Sequence, residues 1–179
     1  MYLSKKTYIG ANYEHNNVKG EINLTRGGDN KPVKVNLNRV SYIEEEVAYW
    51  RKANAIHKWF VENVQDGEDD CKPYYVSREK LRELVNLCKK VLETAKTVDG
   101  QVHTGTTWTA AEGQTYQYEP GKVIVNQDEV EELLPTQEGF FFGGTDYDES
   151  YIEDLKDTIK QLEPLLEDKD GEYEYCSSW

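Results

Sequence analysis

The sequence predicts an α+β fold: a small antiparallel sheet packed against about three main helices, with an added β-hairpin, in a single domain spanning 1–179. Three observations carry this expectation. Leu81, Leu84, Val85, Cys88, Val91, Leu92 and Ala95 form an apolar face at helical spacing behind Ser77, a residue type that caps helix N-termini. Ile152, Leu155, Ile159 and Leu162 repeat the pattern near the C-terminus. Short apolar islands punctuated by Gly, Asn and Asp turns occupy the N-terminal part and 101–125, as strands do. A chain of 179 residues is long enough for one packed core and too short for two independent ones.

Residues 1–10 and about 19–37 read as strands. Tyr2-Leu3 and Tyr8-Ile9 are apolar, and Ile22 to Thr25 meets Val33 to Leu37 across Arg26-Gly27-Gly28-Asp29-Asn30, whose glycines supply the positive φ a hairpin needs. From about Ser41 to Val64, the positions Ile43, Val47, Trp50, Asn54, His57, Val61 and Val64 recur in steps of four and three and predict one long helix. That length tolerates a kink or break near Trp50 to Asn54. Gly67 and Pro73 then stop it. The helix behind Ser77 ends at Asp99-Gly100, and 99–127 reads as a hairpin insertion with turns at Glu112-Gly113 and Pro120-Gly121.

A short acidic helical turn at Asp128 to Leu134 precedes Phe140-Phe141-Phe142, which reads between glycines as a strand buried on both faces. Asp146 with Glu149 resembles a capping box for the last helix, which Pro164 ends or bends. Glu172-Tyr173-Glu174-Tyr175 alternates like an edge strand returning to the first sheet.

Apolar residues make up only 37% and mean hydropathy is -0.82, but thirteen Tyr, four Trp and four Phe supply bulky area to bury. The net charge of -13 is uneven: from Asp128 to Trp179, seventeen acidic residues face three lysines. Such a surface repels nucleic-acid backbones, so duplex binding is not expected. No run approaches the roughly 18 apolar residues that span a bilayer, and Met1 to Lys6 lacks the apolar region of a signal peptide. The expectation is a cytoplasmic protein of a bacterial or infected cell that makes no membrane contact. Cys71, Cys88 and Cys176 are odd in number and widely spaced, which points to reduced thiols rather than a disulfide framework or zinc site, with Cys88 a small core residue. No cofactor or metal is expected.

Asn54 and His57 stand inside the apolar stripe of the long predicted helix. A buried amide or imidazole without partners costs about 1 to 3 kcal/mol, so both must be hydrogen-bonded within the protein or must line a cavity. One alternative is a satisfied buried pair that fixes helix packing. The other is a ligand pocket in which Trp50 stacks on a base, Arg51 and Lys52 neutralise phosphate, and Asn54 and His57 read polar edges. Gln65, Asp66, Thr136, Gln137, Phe141 and Thr145 on neighbouring loops are the candidate walls and donors.

Tyr49 to Asn54, Asn63-Val64-Gln65-Asp66-Gly67 with Asp69-Asp70-Cys71, Tyr74 to Ser77, and Leu133 to Tyr147 resemble a family of small phage and bacterial proteins that often begin Met-Gly-Leu-Asp-Met-Tyr-Leu. The resemblance covers roughly 1–98 and 128–166. Phage members are sometimes labelled phosphoglycerate kinase, an activity this chain does not support, because it has no glycine-rich nucleotide site and less than half the length of such a two-lobed kinase. The resemblance implies a phage or mobile-element setting, where compact proteins that capture nucleotide second messengers of host immunity form a functional class.

The leading expectation is therefore a protein that binds and sequesters a nucleotide-derived immune signal without turnover. One alternative is an acidic interaction module that inhibits a host protein through a basic surface. Another is a metal-dependent phosphodiesterase using His57 with Asp66, Asp69 and Asp70, although that spacing fits no EF-hand. Homo-oligomerisation stays open, as does the choice between covering a site and mediating assembly for the 101–125 hairpin.

Overall fold

A computed structural model describes residues 1–9, 22–110, 113–139, 144–169 and 171–178. In chain order the elements are β1 (Tyr2–Tyr8), β2 (Leu24–Thr25), β3 (Pro32–Val33), β4 (Tyr42–Tyr49), α1 (Asn54–Asn63), β5 (Tyr74–Val76), α2 (Arg78–Thr94), β6 (Thr97–Thr109), β7 (Gly113–Ile124), α3 (Gln127–Leu133), α4 (Glu149–Leu162) and β8 (Glu172–Cys176). Helices and antiparallel sheets together make an α+β fold. Short 3-10 turns lie at Leu37–Arg39 and Glu163–Glu167. No helix among the described residues is long and apolar enough to cross a membrane.

The main sheet has the order β4-β1-β8-β5, with every neighbouring pair antiparallel. Register puts Leu3 beside Tyr175 and Ala48, and Tyr173 beside Val76, so these side chains share one face. That face is buried, and Ile56 and Phe60 of α1, Leu81, Leu84 and Cys88 of α2, and Leu155 and Leu162 of α4 join it in one core. The opposite face carries Lys6, whose Nζ bonds Glu174 Oε2 at 2.5 Å and lies over the Tyr42 ring. One face packed and one polar is the usual state of an antiparallel sheet. The alternation of Glu and Tyr in β8 reports these two faces. Its lateral position is interior, between β1 and β5, and not at an edge.

The predicted helix from Ser41 to Val64 is two elements, an edge strand followed by a 10-residue helix. Register places Glu45 opposite Lys5 and Glu44 opposite Lys6. Opposite charges thus face each other across the pair, although the lysines' ion pairs run to Asp168 and Glu174, and backbone pairing with the open edge of β1 outweighs the helical preference of the glutamate run. The chain turns at Arg51 and Lys52, the latter at φ 64°, before α1 begins. The capping prediction also moves by two residues. Asp148 caps α4, its Oδ1 accepting from Ser150 N at 2.8 Å and Tyr151 N at 3.3 Å, and Asp148 bridges Val123 of β7. Asp146 lies too early in the chain to reach those amides.

The β6–β7 pair forms its own two-stranded sheet. It meets the body near its base, where Ile124 N donates to Tyr147 O and Val125 N to Lys96 O, both at 2.9 Å. The short β2–β3 pair joins the strands predicted around the Gly27-Gly28 turn. The buried strand predicted at Phe140–Phe142 lies outside the described residues, as does the candidate site residue Phe141.

Candidate functional site

The site is organised by α1, whose two faces do different things. Its inner face belongs to the core. Trp50, just before the turn, is 3% exposed and donates from Nε1 to Thr158 Oγ1 at 2.9 Å. Its ring packs at a tilt on Phe60, 5.7 Å between centroids. His57 is fully buried, with Nδ1 2.7 Å from Tyr175 Oη and Nε2 3.1 Å from Asp69 Oδ2. Burial holds its pKa below 6.5, against the opposing pull of Asp69. Burial likewise pushes the Tyr175 phenol far above its ordinary range, with the Asp69 charge adding to it. A neutral phenol and a neutral imidazole fix the proton positions: Tyr175 donates to Nδ1, and Nε2–H donates to Asp69. Asp69 Oδ1 also accepts from Ser177 Oγ at 3.4 Å. Both nitrogens of His57 are thus engaged inside the protein, tying α1 to β8 and to the loop after α1.

The outer face of α1 holds 134–139 and 144–147, the described residues of the 134–147 segment. Asn54 Nδ2 donates to Gly144 O at 2.6 Å, and one turn later Lys58 Nζ reaches Thr136 O at 3.5 Å. Thr136 in turn bonds the far side of that segment, Oγ1 to Thr145 O at 3.2 Å and N to Tyr147 Oη at 3.2 Å. Asn54, Thr136 and Thr145 are therefore brought together, with Gln137 half-buried beside Thr136. Gln65 and Asp66 sit at the other end of α1. Asp66 is exposed at φ 52°, while the Gln65 carboxamide is fully buried with no hydrogen-bond partner among the described residues.

A cavity of about 230 Å³ opens along this outer face, lined by Lys58, Trp59, Glu62, Asn63, Leu87 and the Leu133–Pro135 stretch. It offers an aromatic edge, the Asn63 amide, whose Nδ2 donates to Trp59 O at 2.9 Å, the Lys58–Glu62 ion pair at 4.0 Å and an apolar floor. Arg51 and Lys52 stand exposed at the start of the same helix, and neither has an acidic partner among the described residues. Ala53, at the N-cap position, has no side-chain acceptor, so the positive end of the helix dipole reinforces the two cations. Sequence reasoning missed Lys58, Trp59 and Asn63. The signal was present in part, because Lys58 lies one turn after Asn54, and Glu62 and Asn63 one turn after Lys58 and Trp59.

A second cavity, of about 300 Å³, lies where Leu92 of α2, Lys122 of β7 and Ile152 of α4 meet. Lys122 and Lys156 there face Glu149 and Glu153, so its charges cancel. Among the described residues no group of three or more His, Cys, Asp or Glu side chains is arranged to hold a metal ion. The three cysteines are free thiols, and burial pushes the Cys88 thiol up to about 12. Comparison with known protein families, with curated proteins and with solved structures finds no match to this chain.

Proposed function

We propose that this chain is a non-catalytic binding protein that captures a phosphate-bearing, nucleotide-derived molecule in the cytoplasm of a bacterial cell and holds it intact, as a phage anti-defence sponge holds an immune signal. The observation that carries this reading is the position of Arg51 and Lys52: exposed, without acidic partners among the described residues and at the N-terminal end of α1, the helix that lines the groove through Lys58, Trp59, Glu62 and Asn63, in a protein whose net charge is -13. Both cations are free to meet an anionic group, and a helix N-terminus adds to their pull on phosphate.

The groove suits the rest of such a ligand. A volume of about 230 Å³ lies just below the ~300 to 1,000 Å³ of sites that enclose a drug-sized molecule. It fits one base or nucleoside against Leu134, Pro135 and the Trp59 edge, with Asn63 beside it and the phosphates left at the rim. Trp50 and His57 position α1 from the interior. A protein-interaction role is the second reading, favoured by the exposed acids Glu129, Glu131, Glu132, Glu153 and Asp157 of α3 and α4. Exposed charge pairing fades over a Debye length as salt rises, whereas a ligand seated in a groove persists.

The test mixes the purified protein with cyclic di- and trinucleotides and ADP-ribose derivatives, follows the melting temperature, and recovers each ligand for chromatography. Capture gives a raised melting temperature with intact ligand, lost in Arg51→Ala and Lys52→Ala. Conversion of the ligand replaces capture by catalysis, and no shift across the panel transfers weight to the acidic surface.

A further inference from the structure

The β6–β7 hairpin has two unlike faces. Register pairs Trp108 with Gln114, Thr106 with Tyr116, His103 with Tyr118 and Gln101 with Pro120, which puts these eight residues on one face. His103 confirms the grouping: its ring centroid lies 5.7 Å from that of Tyr116 and 5.6 Å from that of Tyr118. On the other face the side chains satisfy one another and the backbone, with Thr115 Oγ1 donating to Thr107 O at 3.2 Å and Gln117 Nε2 to Thr107 Oγ1 at 3.4 Å.

The aromatic face is left open. Trp108 is 71% exposed, Tyr116 56% and Tyr118 58%. No residue on it beyond the Lys122–Asp99 pair at the base carries a formal charge, in a chain of net charge -13. A two-stranded sheet with no core of its own is marginal in water, and large exposed aromatic patches mark interaction sites.

We infer that this face is the contact surface of a homodimer in which two hairpins pack face to face about a twofold axis. Three independent features favour a second copy as the occupant. The face has no cation to meet a phosphate backbone and no anion to meet a basic protein, so its best complement is a surface as neutral and aromatic as itself. A twofold axis across the strands at the level of Tyr116 sets that ring against its own copy and sets Trp108 over the partner's His103 with the partner's Tyr118 beside it, so every large ring meets the other copy. The area points the same way. The three aromatic residues expose about 400 Å² per copy, roughly half of the ~800 Å² per partner of a stable interface. Gln101, Thr106, Gln114 and Pro120, all exposed, extend the same face around them.

Antiparallel overlap of the hairpins also leaves the two acidic bodies at opposite ends of the contact. Nine residues of strand from Gln101 to Thr109 span about 30 Å, several Debye lengths at physiological salt. Like-charge repulsion between the bodies is therefore screened where direct body-to-body docking would meet it in full.

Sedimentation equilibrium of the full chain at micromolar concentration tests this. The expected mass is twice the 20.7 kDa of one chain, and Tyr116→Glu, which sets two carboxylates together on the axis, returns the single-chain mass with an unchanged circular-dichroism spectrum. Gln117→Glu, on the opposite face, remains dimeric. In a Cys71→Ser background, Tyr116→Cys is linked between copies by a short bis-maleimide and Gln117→Cys is not, a readout that does not depend on how Tyr116→Glu folds. A wild-type chain that stays monomeric throughout overturns the inference and makes the face a site for a different protein. Equal cross-linking at 116 and 117 overturns it as well.

Discussion

The Tyr175 hydroxyl lies 2.7 Å from His57 Nδ1 while the ring of the same tyrosine stacks on Phe60, 3.9 Å between centroids and 7° from parallel. One side chain of β8 thus grips α1 twice, once by a hydrogen bond and once by an aromatic face, and fixes the rotation of the helix about its axis. That rotation decides which residues of α1 face outward, so the groove beside Lys58 depends on a contact made on the opposite side of the helix.

Tyr175→Phe keeps the stack and removes the donor to Nδ1. The buried imidazole is left with one unpaired nitrogen, a change that costs about 1 to 3 kcal/mol. Urea unfolding followed by tryptophan fluorescence measures it. A loss of stability indistinguishable from zero shows that Nδ1 has found another donor.

Buried His57 and half-buried Asp154 give the stability opposite pH dependences, which separate in single variants. The folded-state pKa of His57 is held below 6.5 by burial, so the unfolded chain takes up the proton first and stability falls as pH drops below that value. His57→Gln removes this acid-side slope. Asp154 is pushed from 3.8 up to about 7, first by burial and then by repulsion from Asp157, Glu153 and Asp148. Its contribution is full below 3.8 and is lost as pH rises through about 7. Asp154→Asn therefore matches the wild type in acid and exceeds it in mild alkali, by about 1 to 2 kcal/mol after allowance for partial solvent screening. Parallel curves for the variant and the wild type across this range contradict the assignment.

Lys52 occupies the left-handed region at φ 64°, a conformation that costs an ordinary residue roughly 1 kcal/mol relative to glycine. Lys52→Gly is expected to raise the melting temperature while weakening binding of a phosphate-bearing ligand. Stability and binding moving in opposite directions is the signature of strain kept at a working position. A variant that gains stability and binds unchanged shows that the Lys52 charge makes no contact with ligand.

The amphipathic helices α2 and α4 were legible because one face of each is continuously apolar and the pattern is local. The strand at Tyr42–Tyr49 was not. Its Glu44-Glu45-Glu46 run and the spacing of Ile43 and Val47 suit a helix, and what overrides them is pairing with β1, a strand about forty residues away. In the candidate site, the burial of Trp50, Asn54 and His57 was visible in the spacing. The partners that close off Trp50 and His57 were not, because Thr158 and Tyr175 lie more than a hundred residues along the chain. The outer face of α1 escaped notice for a related reason. Lys58 and Asn63 read as ordinary surface residues until Leu133–Pro135 is folded against them to make a groove.

Isothermal titration of the wild type and of an Arg51→Ala/Lys52→Ala double variant, using the nucleotide derivative that most raises the melting temperature, tests the capture proposal most directly. The predicted result is saturable binding with one site per chain, recovery of the ligand unchanged, and at least about a tenfold weaker affinity in the double variant, which corresponds to the ~1.4 kcal/mol of one lost charge-assisted contact. Equal affinity in both proteins, or no heat with any member of the panel, contradicts it.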